Sequence, residues 1–333
     1  QQSGMRASPG KQTECDALLF ACRVHGVLEH VVRAAQENGG FAAMTDGEIS
    51  ALTERCMDAC MGTYLPQGEA AASRERYLSA RNRQEAAAVV MDVARELRLS
   101  QFAPAAEELR FAPGGPLPPI EYRAKSGSGL LTGQIDRVDI YEADGTRYFR
   151  IIDYKTGHKD FDYAELLYGK NLQMLLYLFA LESYQKQTGQ PMQPAGVLYV
   201  PGRCDMVKLK PGEDPAHAGD ERQKELRRKG LVLNDEAVLH AMESYEKKPQ
   251  YLPFEHGPDG LAGDLASPAQ LAELERFVTG QVESMIDEIL SGVTAPNPIN
   301  RGPSDTECKY CDFSSACHKD VCSVNTRRFA SVT

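Results

Sequence analysis

Three residues near the middle of the chain place charge where an apolar strand should exclude it. In Gly133-Gln134-Ile135-Asp136-Arg137-Val138-Asp139-Ile140, Asp136 follows Ile135; in Phe149-Arg150-Ile151-Ile152-Asp153-Tyr154-Lys155, Asp153 and Lys155 follow a run with three apolar side chains. Burying a charge is costly unless it is paired, so charge in such a strand needs a reason. Side chains alternate across a strand, and Asp153 and Lys155, two apart, share a face. The intervening Asp144-Gly145 pair is a hairpin-turn signal. If the two strands pair through it, Asp136 falls beside Asp153 across the ladder, with the Lys155 ammonium next to both. Two carboxylates at that spacing repel unless a cation lies between them, and hard oxygen ligands suit Mg²⁺ or Mn²⁺. An ion held there polarises a phosphate oxygen and acidifies a water, while the lysine orients that water or stabilises developing charge. The expected chemistry is metal-assisted phosphodiester hydrolysis. The plainer alternative is a surface hairpin carrying an ordinary ion pair.

A second constellation closes the chain. Four of the nine cysteines fall in the last 26 residues, as Cys308-x2-Cys311-x5-Cys317 with Cys322 following after four intervening residues. In a reducing compartment such spacing points to metal rather than to disulfides. Three local thiolates need a fourth ligand to close a tetrahedral zinc site or to hold a [4Fe–4S] cluster. Spacing alone favours zinc with Cys322 as the fourth ligand. Cys56, Cys60 and Cys204 are expected to be buried apolar residues.

The elements that position these groups can be read from periodicity. Apolar residues at helical spacing predict helices over Asp16 to about Glu37, Asp46 to about Tyr64 and Ser73 to about Leu99, the first stopped by Asn38-Gly39-Gly40. Around Ala112–Pro118 the texture changes to alternation, which predicts strands in IEYRAKS, LLTGQIDRVDIYE and TRYFRIIDYKTG. A strong helix over Lys170–Gly189 and a buried strand in PAGVLYVPG follow, and another helix spans Pro268–Leu290. This order predicts an α/β fold divided into a helical part at 1–112, an α/β core at 113–202, and a segment at 203–333 holding a polar insertion, the last helix and the cysteines. The basic run Lys224, Arg227, Arg228 and Lys229 reads as a solvated helix face, or, less simply, as a phosphate contact.

Composition bounds the function. The 333 residues carry 37 Lys+Arg against 47 Asp+Glu, a net charge of −10, which argues against coating nucleic acid by bulk charge. No stretch approaches the ~18 consecutive apolar residues of a membrane span, so the expectation is a cytoplasmic protein without a membrane partner. The chain begins at Gln1, which suggests a piece of something longer. No G-x-x-x-x-G-K-[ST] occurs, so a Walker-type ATP site is not expected.

Asp136 in a G-x-I-D context, sixteen intervening residues, then Asp153-Tyr154-Lys155, resembles the PD-(D/E)XK nuclease superfamily in its RecB-like branch. Gln173 and Tyr177, four apart on the following helix, are similar to the Q-x-x-x-Y signature of that branch. The resemblance implies a restriction-endonuclease-like core, a mixed central sheet flanked by helices. Its metal would be held by Asp136, Asp153, the Tyr154 carbonyl and an upstream histidine, for which His25 matches and His30 competes. Gln173 and Tyr177 would order the site and the DNA. Cys308-x2-Cys311-x5-Cys317 likewise is similar to RecB-like nucleases with an iron–sulfur cluster. There the fourth ligand lies before the core, implying Cys15, with Cys22 the alternative, and a C-terminal segment stapled to the N-terminal part. From about Leu18 onward the chain resembles the nuclease domains found in the B subunits of AddAB-type helicase–nucleases. That likeness implies an exodeoxyribonuclease in double-strand break repair, a heterodimer with the helicase A subunit, and single-stranded DNA delivered from an unwound duplex. The rival readings are a stand-alone or CRISPR-associated exonuclease and a non-catalytic DNA-binding scaffold.

Overall fold

The computed structural model describes residues 24–61, 72–157, 161–203, 215–258, 260–302, 305–306, 308, 311–317 and 327–329. Helix α1 covers 24–37 and buries Val24, Val27, Leu28, Val31, Val32 and Ala35, an unbroken i, i+3, i+4 stripe. It stops where Gly39 and Gly40 turn to φ 86° and 85°, and the Gly40 N–H donates back to the Ala35 carbonyl. Helices α2 (Asp46–Met61) and α3 (Ala72–Leu99) follow, α3 burying Val89, Val90, Val93 and Leu97.

Strand β1 (Ala103–Phe111) leads into a small hairpin of β2 (Ile120–Arg123) and β3 (Ser128–Leu131), then β4 (Gly133–Ala143) and β5 (Thr146–Lys155). The β4–β5 connection holds Asp144 and Gly145 at φ 52° and 75°, the two positive values that the tightest hairpin turn requires. After α4 (Tyr163–Leu166), helix α5 (Gln173–Gln187) crosses over to β6 (Gln193–Pro201), which lies parallel to β5. The chain continues through α6 (Pro215–Glu225), β7 (Lys229–Leu233), α7 (Glu236–Met242), the β8–β9 hairpin (Phe254–Gly257, Gly260–Gly263), β10 (Leu265–Ala266) and α8 (Pro268–Leu290). The six-stranded mixed sheet runs β1-β4-β5-β6-β7-β10. Helices cover both faces, which is why β5 and β6 read as continuous apolar runs rather than alternating ones. Helix α8 starts on a Ser267–Gln270 capping box and packs against α5.

The α/β architecture is the one expected, but three boundaries move. The helical part ends at Leu99, and residues 103–111, assigned above to the helical 1–112 part, form edge strand β1. Its sequence APAAEELRF is rich in helix formers, and pairing with β4 overrides that weak local preference. The sheet also extends past residue 202 into the supposed polar insertion: Gly230 packs so closely on β6 that an added Cβ would stand 2.1 Å from the Val197 carbonyl oxygen. The single strand expected in LLTGQIDRVDIYE divides at Thr132, and IEYRAKS pairs with its first part in a separate two-stranded sheet. Part of the C-terminal loop, Ile299–Gly302, pairs as a short strand with Asp305–Thr306 and Arg327–Arg328.

Candidate active site

Arg137 stands opposite Ile152 and Val138 opposite Ile151, so the hairpin register places Asp136 beside Asp153 on one face of the sheet. Strand β1 adds a carboxylate that the sequence reading missed. Glu107 stands opposite Arg137 and Leu109 opposite Ile135, which sets Glu108 against Asp136. Glu108 has φ 51°, a left-handed conformation that costs a non-glycine residue ~1 kcal/mol or more and persists where the surroundings impose it. Ligand atoms of His25, Glu108 and Asp136 lie within 4.8 Å of one another, the one such group among the described residues.

The backbone of Tyr154 ties these groups together. Its N–H donates to Asp136 Oδ2 at 2.8 Å, and its carbonyl accepts from His25 Nε2 at 2.8 Å. The other ring nitrogen of His25 lies 3.6 Å from Asp136 Oδ2. His30 instead turns its Nδ1 to the Gly26 carbonyl of its own helix and is exposed. Lys155 Nζ sits 2.6 Å from Asp153 Oδ2. Burial pushes the Asp153 carboxyl above its ordinary value, the Asp136 charge pushes it further, and Lys155 opposes both. Glu108 is raised in the same way, by burial and then by Asp136 and Glu29. Carboxylates that hold protons more tightly because they are buried and, next, because they crowd one another gain from a cation, so this donor set fits a hard divalent ion.

Behind the sheet, buried charge anchors Tyr154. Arg137 donates to the Tyr154 hydroxyl at 2.6 Å and grips Asp139 at 2.8 and 3.1 Å. Arg150 Nε donates to Asp139 Oδ2 at 2.9 Å, an oxygen it shares with Arg137, and Arg228 reaches Glu96 at 2.6 Å and Asp92 at 2.5 Å. Burial alone would raise the Glu96 carboxyl, but Arg228, Arg150 and Arg137 together hold it down to about 2. Charges placed this deep persist only when paired, and here opposite charges face one another throughout, although Glu96 Oε1 and Arg150 Nη2, 3.4 Å apart, and Arg150 Nη1 make no hydrogen bond among the described residues. Arg228 is therefore a structural residue, contrary to its reading as part of a solvated helix face.

Gln173 and Tyr177 come together at the start of β4. Gln173 Nε2 and the Gln134 N–H both donate to the Tyr177 hydroxyl at 3.3 Å, and the Tyr177 ring stacks on Phe111 at 5.8 Å. Gly133 is what lets the ring in: a Cβ there would lie 2.0 Å from the Tyr177 hydroxyl oxygen. Tyr199 on β6, opposite Asp153, continues the row and was not anticipated. Cys308, Cys311 and Cys317 lie on one short C-terminal segment, where the Cys311 N–H donates to the Cys308 carbonyl and α9 (Ser314–Cys317) ends on the third thiol. Cys15, Cys22, Cys204 and Cys322 lie outside the described residues. Cys56 and Cys60 are half-buried, and burial raises both thiols.

A mixed sheet with this carboxylate row, a lysine two residues after the last acid and an upstream histidine defines a nuclease-type centre, and a profile of the PD-(D/E)XK nuclease superfamily matches residues 12–318. The chain belongs to that superfamily. Among curated proteins it is similar to the B subunit of the ATP-dependent helicase/deoxyribonuclease of Acetivibrio thermocellus, with 32% identity over 315 residues, 90% of this chain and 26% of the relative. The corresponding B subunits of Ruminiclostridium cellulolyticum (28% over 307 residues, 89% of this chain, 26% of the relative) and Lysinibacillus sphaericus (30% over 289 residues, 83% and 25%) are similar to it as well. The chain spans about a quarter of the length of these relatives. None of its described helices is long and apolar enough to cross a membrane.

Proposed function

We propose that this chain is a metal-dependent exodeoxyribonuclease domain from the B subunit of an AddAB-type helicase–nuclease, acting in the cytoplasm in recombinational repair of double-strand breaks. The observation that carries this reading is the row of Glu108, Asp136 and Asp153 on three adjacent strands, closed by His25 on one side and Lys155 on the other. His25, Glu108, Asp136, Asp153 and the Tyr154 carbonyl would hold a Mg²⁺ or Mn²⁺, which when bound would draw charge from the scissile phosphate and acidify an adjacent water.

The chain's own residues supply the rest. Lys155, held by Asp153, presents an ammonium on the face of the carboxylate row, where it can orient a water and stabilise charge gathering on the phosphate. Tyr154 fixes the positions of Asp136 and His25 through its backbone, and Arg137 fixes Tyr154. Gln173 and Tyr177 brace the N-terminal end of β4, three residues before Asp136.

The relatives' names, each the B component of an ATP-dependent helicase/deoxyribonuclease, support two further assignments: the helicase A subunit is the partner, and a single DNA strand released by unwinding is the substrate. A [4Fe–4S] cluster held by Cys15, Cys308, Cys311 and Cys317 would staple the C-terminal segment to the N-terminal part, a reading supported by the likeness of Cys308-x2-Cys311-x5-Cys317 to the iron–sulfur RecB-like nucleases rather than by spacing alone. The test is cleavage of single-stranded DNA with Mg²⁺ by wild type, Asp153→Ala and Lys155→Ala. Activity lost in both variants supports the assignment, and equal cleavage by all three removes it.

A further inference from the structure

The row of facing residues does not stop at Asp153. Tyr199 on β6 stands opposite Asp153, and Lys229, the first residue of β7, stands opposite Tyr199. Two strand spacings, about 10 Å, carry the row from the proposed reacting centre to Lys229. Two residues before Lys229 in the chain, Arg227 lines a cleft of 810 Å³ together with Gln223 and Lys224, and the segment 247–256 contributes Lys247, Lys248 and His256 to the same cleft. We propose that this cleft binds the phosphodiester backbone of a single DNA strand that also passes the carboxylate row. The proposal rests on the nuclease reading and adds to it a second strand-binding site.

Four observations support it. First, the walls are fixed to the end of the row. The Arg228 N–H donates to the Tyr251 carbonyl at 2.9 Å, and the Arg227 guanidinium donates to the Leu252 carbonyl at 2.9 Å and the Phe254 carbonyl at 2.5 Å. Second, charge is concentrated here against the trend of a chain with net charge −10: four cations line the cleft with one carboxylate, Glu255, which Arg227 holds at 2.8 Å. Lys224 pairs with Glu221 at 2.7 Å, but an exposed pair of this kind is worth little and exchanges readily for a phosphate. Lys247 and Lys248 have no ion pair among the described residues.

Third, Gln223 Nε2 is a buried donor without a hydrogen-bond partner among the described residues, a costly state that an anionic oxygen in the cleft would relieve. Fourth, His256 is exposed at the rim of a ring cluster, 5.8 Å from Tyr245 and 6.0 Å from Phe254, and offers a flat face to a base. Cations along a groove together with a ring for stacking are the combination by which single strands are held without regard to sequence.

The test uses the whole 333-residue chain in EDTA, so that DNA is bound but not cut, with an end-labelled oligo(dT) followed by fluorescence anisotropy over a range of salt concentrations. Lys247→Glu with Lys248→Glu is expected to weaken binding and to reduce the slope of log affinity against log salt by about 1.4, two phosphate contacts at about 0.7 each. His256→Ala is expected to weaken binding about tenfold with the slope unchanged. A slope in the lysine variant equal to that of wild type overturns the proposal. Hydrolysis of bis(p-nitrophenyl) phosphate with Mn²⁺, a diester too small to span both sites, separates the two readings. Equal rates in wild type and the lysine variant show that the cleft variant leaves the reacting centre intact, as the proposal requires. No hydrolysis by wild type, with the slope change still present, would sink the nuclease reading and leave the cleft standing.

Discussion

Gly133→Ala probes how helix α5 is fitted to the start of β4. Gly133 is not among the glycines with positive φ, so alanine meets no backbone penalty there. The whole cost comes from its methyl group, which would stand 2.0 Å from the Tyr177 hydroxyl oxygen, 2.6 Å from Cζ and 2.7 Å from Cε1. Contacts that short are not tolerated, and Tyr177 is only 6% exposed, so either the ring or β4 has to move. Moving the ring loosens its stack on Phe111 and gives up the hydrogen bonds from Gln134 and Gln173. Overpacking costs ~1–3 kcal/mol and the two long hydrogen bonds, both 3.3 Å, contribute about 0.5 kcal/mol each, so the expected destabilisation is about 2–4 kcal/mol. Urea denaturation at unchanged m-value measures it directly. In a Tyr177→Ala background the methyl has room, and the same substitution should then cost less than about 0.5 kcal/mol, a coupling of about 2 kcal/mol. If Gly133→Ala costs the same in both backgrounds, the close approach is not what selects glycine.

Tyr154→Phe removes the acceptor that Arg137 Nη1 uses while keeping the ring, and should destabilise the chain by ~1–3 kcal/mol in urea melts. An unchanged midpoint would mean that Arg137 does not anchor Tyr154. Glu96 is held at about 2, below its ordinary 4.5, so its stabilising contribution is present above pH 4.5 and is lost as pH falls toward 2. Asp92, raised by burial, acts in the opposite sense, so the comparison to make is wild type against Glu96→Gln. Their stability difference should shrink across that window, and a constant difference would contradict the pairing. Cys311→Ser should lower the iron content of anaerobically purified protein, whereas a colourless, zinc-loaded wild type would refute the cluster.

The β4–β5 hairpin was legible because two local signals agreed. An Asp-Gly turn fixed the register, and alternation then fixed which side chains share a face, so Asp136, Asp153 and Lys155 could be assembled without the fold. Helix α5 was legible for a similar reason, its apolar run being long and bounded by Gly169 and Gly189. Glu108 was not, because AAEEL favours a helix locally and only pairing with β4 makes it a strand. Strand β7 is five residues long inside a polar segment, too short for periodicity to declare. The buried chain from Arg137 to Asp92 joins three separate elements and the connection before β7, and nothing in local spacing connects residue 92 with residue 228. Charges at Arg137, Asp139 and Arg150, on the face opposite the carboxylates, were the available hint. Tyr199 joined the row only through the parallel crossover.

Manganese binding followed by electron paramagnetic resonance addresses the metal site without relying on cleavage. Wild type should bind Mn²⁺ at one tight site, with Asp136→Ala weakening it by about tenfold or more and Glu108→Gln weakening it to a lesser degree. Equal binding by wild type and Asp136→Ala would show that the carboxylate row holds no ion, and the proposed chemistry would fall with it.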